Sequence, residues 1–186
     1  MRKLFQYGGI AASIVVIAFG AGAIYTGIDG RQQVRSDLAR EMIVGTPDSS
    51  IPGQKVDTGA EARAFADVMR HHTLDATKGQ TYAQMGRFLD ATGQPTNDEK
   101  AAAINPTTKQ PVENGLRNMW VTETALSTAL NTAYFAEQVA TFAIVMGGAL
   151  LLAGIGFGVL SLTVLAPATT REGSPNRAGS AAVASA

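Results

Sequence analysis

The residues that could do chemistry are few. His71 and His72 are the only histidines, and Asp67, His71 and Asp75 stand at i, i+4 and i+8. That spacing puts them on one face of a helix. Imidazole and carboxylate groups on one face can hold a divalent metal. The signal is weak, because solvated helix faces often carry such a run by chance. Nothing nearby suggests the outer partners that orient metal-bound imidazoles. Asp67, His71 and Asp75 are therefore the one set worth testing, and the expectation is that no metal is bound.

Two carboxylates in apolar company come next. Glu123 and Glu137 sit among Thr, Ala and Leu. A carboxylate beside a membrane boundary can titrate abnormally and serve a proton or ion path. The plainer reading makes Glu137, next to Gln138, the polar edge of an apolar run that points to lipid headgroups. No HExxH, calcium loop or phosphate-binding glycine loop occurs. There is no cysteine, which excludes disulfides, thiol nucleophiles, iron–sulfur clusters and thiolate zinc sites. No catalytic or cofactor-binding residue is assigned, no cofactor is expected, and the chain reads as a non-enzyme.

These residues hang between two apolar runs, 7–28 and 139–166, neither of which holds a charge. A bilayer core of about 30 Å needs about 20 helical residues to cross it. Inside hydrocarbon the backbone must satisfy its own hydrogen bonds, so each run should be a helix. The fold expected is all-α: two transmembrane helices, the second continuous with a long helix outside the membrane, and a small helical loop domain. The boundaries are 1–6, a cytoplasmic N-terminus; 7–28, the first span; 29–138, an extracytoplasmic helical domain; 139–166, the second span; and 167–186, a disordered cytoplasmic tail. A cleaved signal peptide competes with the first span, since Met1-Arg2-Lys3 suits its start and Ala21-Gly22-Ala23 its cleavage site. Apolar character runs on through Ile28, which favours an uncleaved anchor.

Small residues pattern both spans. Gly9, Ser13, Val16, Gly20, Ala23 and Gly27 are spaced 4, 3, 4, 3 and 4 apart, and Gly147, Leu151, Gly154, Gly158 and Ser161 alternate likewise. Such faces let helix backbones approach, and van der Waals packing then drives association in lipid. They serve either packing of the two spans on each other, the preferred reading, or docking to another membrane protein.

Between the spans, 11 Lys/Arg stand against 14 Asp/Glu, and the whole chain is formally neutral. Nucleic-acid binding needs a clustered positive face and is not expected. The first helix should run on through Ile43 with Val34, Leu38 and Met42 as its apolar stripe. A second helix should start at Asp57 or Thr58 and end near Gly79. A helical turn is expected at Thr81–Leu89 and a brief helix at Asp98–Ile104. One helix of about 55 residues, roughly 80 Å long, should then run from Pro111 to Ala166. Trp120 should anchor the loop helices to it; exposed, it would be an interaction anchor instead.

Arg2 and Lys3 precede the first span, and Arg171 and Arg177 follow the second. Positive flanks stay in the cytoplasm, which predicts both termini inside and residues 29–138 outside a plasma membrane crossed twice. Arg31, Arg35 and Arg40 argue the other way, but loops above about 60 residues translocate largely regardless of charge.

Three stretches carry a resemblance: Val44-Gly-Thr-Pro-Asp48, Asn97-Asp-Glu-Lys-Ala-Ala-Ala103 and the run from Trp120 to Val139. The chain resembles a group of uncharacterised two-span membrane proteins of high-GC Gram-positive (actinobacterial) bacteria. An excess of Arg over Lys, 10 to 5, suits that source. The resemblance implies the two-span architecture and no activity. The function expected is a structural or accessory membrane protein. Its partners would be the lipid bilayer and another membrane or envelope protein, or a second copy of itself. The alternative is a sensory or ligand-binding module that signals through a partner.

Overall fold

The computed structural model describes residues 2–163. The expected tail 167–186 and the last residues of the second span lie outside them. Helix α1 covers Arg2–Arg40, α2 covers Gly59–Ala76 and α3 covers Gly115–Thr163. A two-residue antiparallel pair, β1 (Phe88–Leu89) and β2 (Pro95–Thr96), lies between α2 and α3.

Helices α1 and α3 are each long and apolar enough to cross a membrane. Only 11% of the apolar window of either helix is buried within the chain. The core helix of a water-soluble protein would hide most of that surface. Here Ile14, Phe19, Phe142, Val145, Leu152 and Phe157 all point outward. This is the surface expected of two membrane-spanning helices.

The two helices run antiparallel and in close contact. Gly20 meets Gly147 and Leu151, Gly27 meets Ala140 and Ile144, and Gly154 meets Ile17 and Ser13. The contact repeats every seventh residue: Ser13, Gly20 and Gly27 on α1, and Ala140, Gly147, Gly154 and Ser161 on α3 are all buried. A seven-residue repeat keeps one stripe of each helix facing its neighbour. A methyl group on Gly147 would sit 2.6 Å from the Gly20 carbonyl oxygen, so backbone rather than side chain fills the seam. The Ser13 hydroxyl donates to the Gly154 carbonyl at 2.6 Å.

Beyond the spans both helices continue without a break and carry a small polar lobe. Its core joins Leu38 of α1, Val56 of the segment before α2, Ala62 and Ala66 of α2, and Leu130 of α3. Helix α1 ends at Arg40, three residues short of the expected Ile43. Met42 adopts a left-handed φ of 51° there and reverses the chain, the job usually given to glycine. Helix α2 begins at a capping box: Thr58 Oγ1 accepts the Glu61 N–H, and Glu61 Oε2 accepts the Thr58 N–H at 2.9 Å. Each bond satisfies an end group that the helix itself leaves unpaired. Partial burial pushes the Glu61 carboxyl up, and hydrogen bonds from Asp57 and Thr58 together outweigh it and hold the group below its ordinary value.

Residues 77–114 correct the expectation of further helices in the loop domain after α2. The helical turn over Thr81–Leu89 shrinks to a 3-10 turn at Tyr82–Gln84, and Phe88–Leu89 is strand. No helix forms over Asp98–Ile104. The Asp98 side chain accepts the Lys100 N–H and Thr96 Oγ1 accepts the Asp98 N–H, which closes local turns instead. Such bonds compete with a helix, and a seven-residue helix has little to oppose them. Ala102 and Ile104 instead form bridges with Asp90 and Pro111. Helix α3 starts at Gly115 rather than Pro111. Asn114 caps it, its side-chain oxygen accepting the Leu116 N–H while its amide donates to the Gly86 carbonyl.

Candidate functional site

Where the spans become the lobe, three segments meet on one carboxylate. Glu137 is 5% exposed. Its Oε1 accepts from Arg31 Nε at 2.9 Å and from Arg35 Nε at 2.8 Å. Its Oε2 accepts the Gly59 backbone N–H at 2.5 Å. The positive end of the α2 dipole therefore adds to the two guanidinium groups. Burial pushes this carboxyl up. The Gly59 N–H, Arg35 and Arg31 more than offset it, and the group is held below its ordinary value. The expectation that Glu137 points to headgroups is corrected: it points inward, because two arginines one turn apart and a helix start compensate its charge.

Gly59 makes the contact possible. A Cβ there would lie 2.8 Å from the Tyr134 backbone and 2.9 Å from the carboxylate. Without a side chain, the first turn of α2 can lie flat on α3.

Glu123, two turns before Leu130, is also buried, and Ser127 Oγ donates to it at 2.7 Å. Trp120 is 2% exposed. Its indole N–H donates to the Gln80 carbonyl at 2.9 Å, and the Arg70 guanidinium lies 5.3 Å from the ring centre. These contacts fit the expected role of Trp120 as an anchor of the loop to the long helix, and not the alternative of an exposed interaction anchor. The ring is out of reach of a partner and ties the segment after α2 to α3.

The histidines separate. His71 lies 3.6 Å from Asp75, with both side chains well exposed. Asp67 does not join them, and among the described residues no group of three His, Asp or Glu could hold a metal ion. His72 turns to Asp48, with 2.5 Å between Nε2 and Oδ2. That contact, with help from Thr46, holds the Asp48 carboxyl down at about 2. It pins the strap after α1 to α2. Its partners lie 24 residues apart, so helical spacing could not reveal it.

Of the proposed packing residues, Ser13, Gly20, Gly27, Gly147 and Gly154 are buried between α1 and α3, while Gly9, Ala23 and Gly158 are partly buried. Gly158 faces the Ser13 hydroxyl. Periodicity was the signal for these positions. Nothing in the spacing marks Arg31 and Arg35 as site residues; in the sequence they read only as topology signals.

One further feature had no signal in the sequence. A cleft of about 820 Å³ opens between the outer part of α1, α2 and α3. Val34 and Leu38, Phe65 and Met69, and the α3 face from Leu126 to Ala136 line it. Its polar lining residues are Asp37, Glu41 and Thr132. The volume falls in the range of small-molecule pockets, which are commonly this apolar. No protein-family model matches the chain, and no curated protein or solved structure matches it.

Proposed function

We propose that the chain is a non-enzymatic accessory protein of the plasma membrane. In this reading it crosses the bilayer twice, both termini are cytoplasmic, and residues 29–138 lie outside. It holds an interaction lobe at a fixed height above the lipid. The observation that carries the reading is the continuity of α1 and α3 from apolar span into polar lobe. No linker separates anchor from domain, and Glu137 locks α2 to both helices. Arg31 and Arg35, which count against this orientation, have a structural reason for their place as partners of Glu137. The partner is another membrane or envelope protein or a second copy, met through exposed apolar residues of the outer α3 such as Leu116, Met119 and Val121. The resemblance to two-span proteins of high-GC Gram-positive bacteria agrees with this architecture.

A reporter fused after Ala186 should work only in the cytoplasm, and one inserted near Ser50 only outside. Purification in a gentle detergent should retain a partner or a second copy. Recovery as a lone monomer, or release from washed vesicles without detergent, would overturn the reading. The apolar cleft favours a second reading, a ligand-binding module that passes its state to a partner.

A further inference from the structure

We propose that a polar pocket at the outer end of the lobe binds a small hydroxylated monoanion, a sugar acid in chemical class, between Arg87 and Arg117. The pocket is separate from the apolar cleft.

Backbone pairing builds it. Tyr82 of the 3-10 turn, Arg87 before β1, and Glu113, Arg117 and Asn118 around the start of α3 enclose about 340 Å³. Glu113 bridges to Phe88, and the Asn114 N–H donates to the Arg87 carbonyl at 2.9 Å. The Arg87 backbone N–H donates in turn to Asn97 Oδ1 at 3.0 Å. Arg87 and Glu113, far apart in the chain, are thus fixed side by side.

Two guanidinium groups are then held by rings instead of by carboxylates. Arg117 lies 4.1 Å from the centre of the Tyr82 ring, and Arg87 lies 4.9 Å from that of Phe88. Neither has an ion-pair partner among the described residues. Arg117 Nε is buried with no hydrogen-bond partner, so this group has given up water and received no acceptor in return. A ring covers the face of a guanidinium and leaves its edge donors free. Such a fork fits the two oxygens of an oxyanion.

Charge and lining narrow the ligand. Two arginines against one glutamate leave a single positive charge, which one negative charge neutralises. Glu113 would repel a second. Glu113 and Asn118 bring acceptor oxygens beside the fork, and the Tyr82 hydroxyl can donate or accept. The one apolar surface of the lining, the Tyr82 ring, is already covered by Arg117. The occupant is therefore one anionic group on a body of hydroxyl donors, with no apolar tail. The volume, at the small end of ligand pockets, suits a single sugar ring. A lipid head is out of reach: in the two-span reading Arg117 stands 22 residues outside Val139, about 33 Å of helix.

The full chain in phosphatidylcholine nanodiscs, with isotope-labelled arginine, tests this through the Nε–H resonances of Arg87 and Arg117. The probe is glucuronate. Both resonances should shift together and saturate, with a Kd at or below about 1 mM. Glucuronamide keeps the hydroxyls and loses the charge; acetate keeps the charge and loses the hydroxyls. Each should bind about tenfold more weakly or worse. Arg87→Gln and Arg117→Gln should each weaken glucuronate by about tenfold or more, and Arg87→Lys, which keeps charge without the fork, by about threefold. Arg87 lies outside every helix and strand, so its variants decide the matter if Arg117→Gln unsettles α3. A disaccharide ending in glucuronate that binds as tightly places the acid at a polymer end, and weaker binding assigns the free acid; both support the class. Acetate binding as tightly as glucuronate would overturn the sugar acid. Glucuronate binding that survives Arg87→Gln, or that appears only after Glu113→Gln, would overturn the pocket; in the second case the chain's own carboxylate fills it. No saturable shift at all would overturn it too. The two-span reading stands or falls separately, on the reporter and vesicle experiments.

Discussion

The paired spans and the polar lobe are stabilised by opposite means. In the spans the side chains withdraw. Gly20, Gly27, Gly147 and Gly154 bring backbone against backbone, and the gain is dispersion along a smooth seam. In the lobe individual groups decide. One carboxylate holds three segments, one indole holds a loop, and one capping box starts a helix. A distributed seam tolerates the loss of any one contact but not an added atom. A lobe built on a few specific groups should show the reverse.

Four substitutions sharpen or break that contrast. Trp120→Ala should have the largest effect, about 4 kcal/mol. Its damage should stay in the lobe, seen as faster hydrogen exchange over residues 77–114 with the spans unchanged. Glu137→Gln should cost about 3 kcal/mol, because two arginines lose their counter-charge and the buried amide bonds poorly to both. Exchange at the start of α2 should rise with it. The same carboxyl sets an acid limit. Its folded value lies below the ordinary 4.5, so its contribution is complete above that value and is lost as pH falls through the lowered one. Thermal unfolding of wild type and Glu137→Gln should therefore converge in acid and diverge toward neutral pH.

Gly147→Leu should cost about 2 kcal/mol through overpacking. Because the chain has no cysteine, cysteines introduced in place of Ile17 and Leu151, whose side chains already pack against Gly154 and Gly20, can report the separation of the spans by a fall in cross-linking yield. An unchanged yield would sink the backbone-contact account. Met42→Gly is the smallest and runs the other way. Met42 is 84% exposed and holds a left-handed φ, so glycine should stabilise by about 1 kcal/mol.

The same contrast explains what could be read in advance. The seam was legible because small residues alternate every three and four positions, and the start of α2 because Thr58 precedes Glu61 by three. The role of Glu137 was not. Its partners are 78, 102 and 106 residues away, and no periodicity links them. The stretch after α2 misled for another reason. Its apolar residues fit a helical period over short windows, yet Thr96 and Asp98 close turns on the adjacent backbone, and the pairing of Leu89 with Ala103 and Val112 is non-local. The cleft belongs to neither local pattern nor pairwise contact; it is the space left where three helices diverge.

The unbroken passage of α1 and α3 from span to lobe has a mechanical consequence. Set in a bilayer as proposed, a stiff hydrophobic pair accommodates a thinner membrane by tilting. With no joint to absorb the angle, the lobe must lean and sink by the same rotation. Membrane thickness thus becomes a ruler that sets how far the lobe can reach.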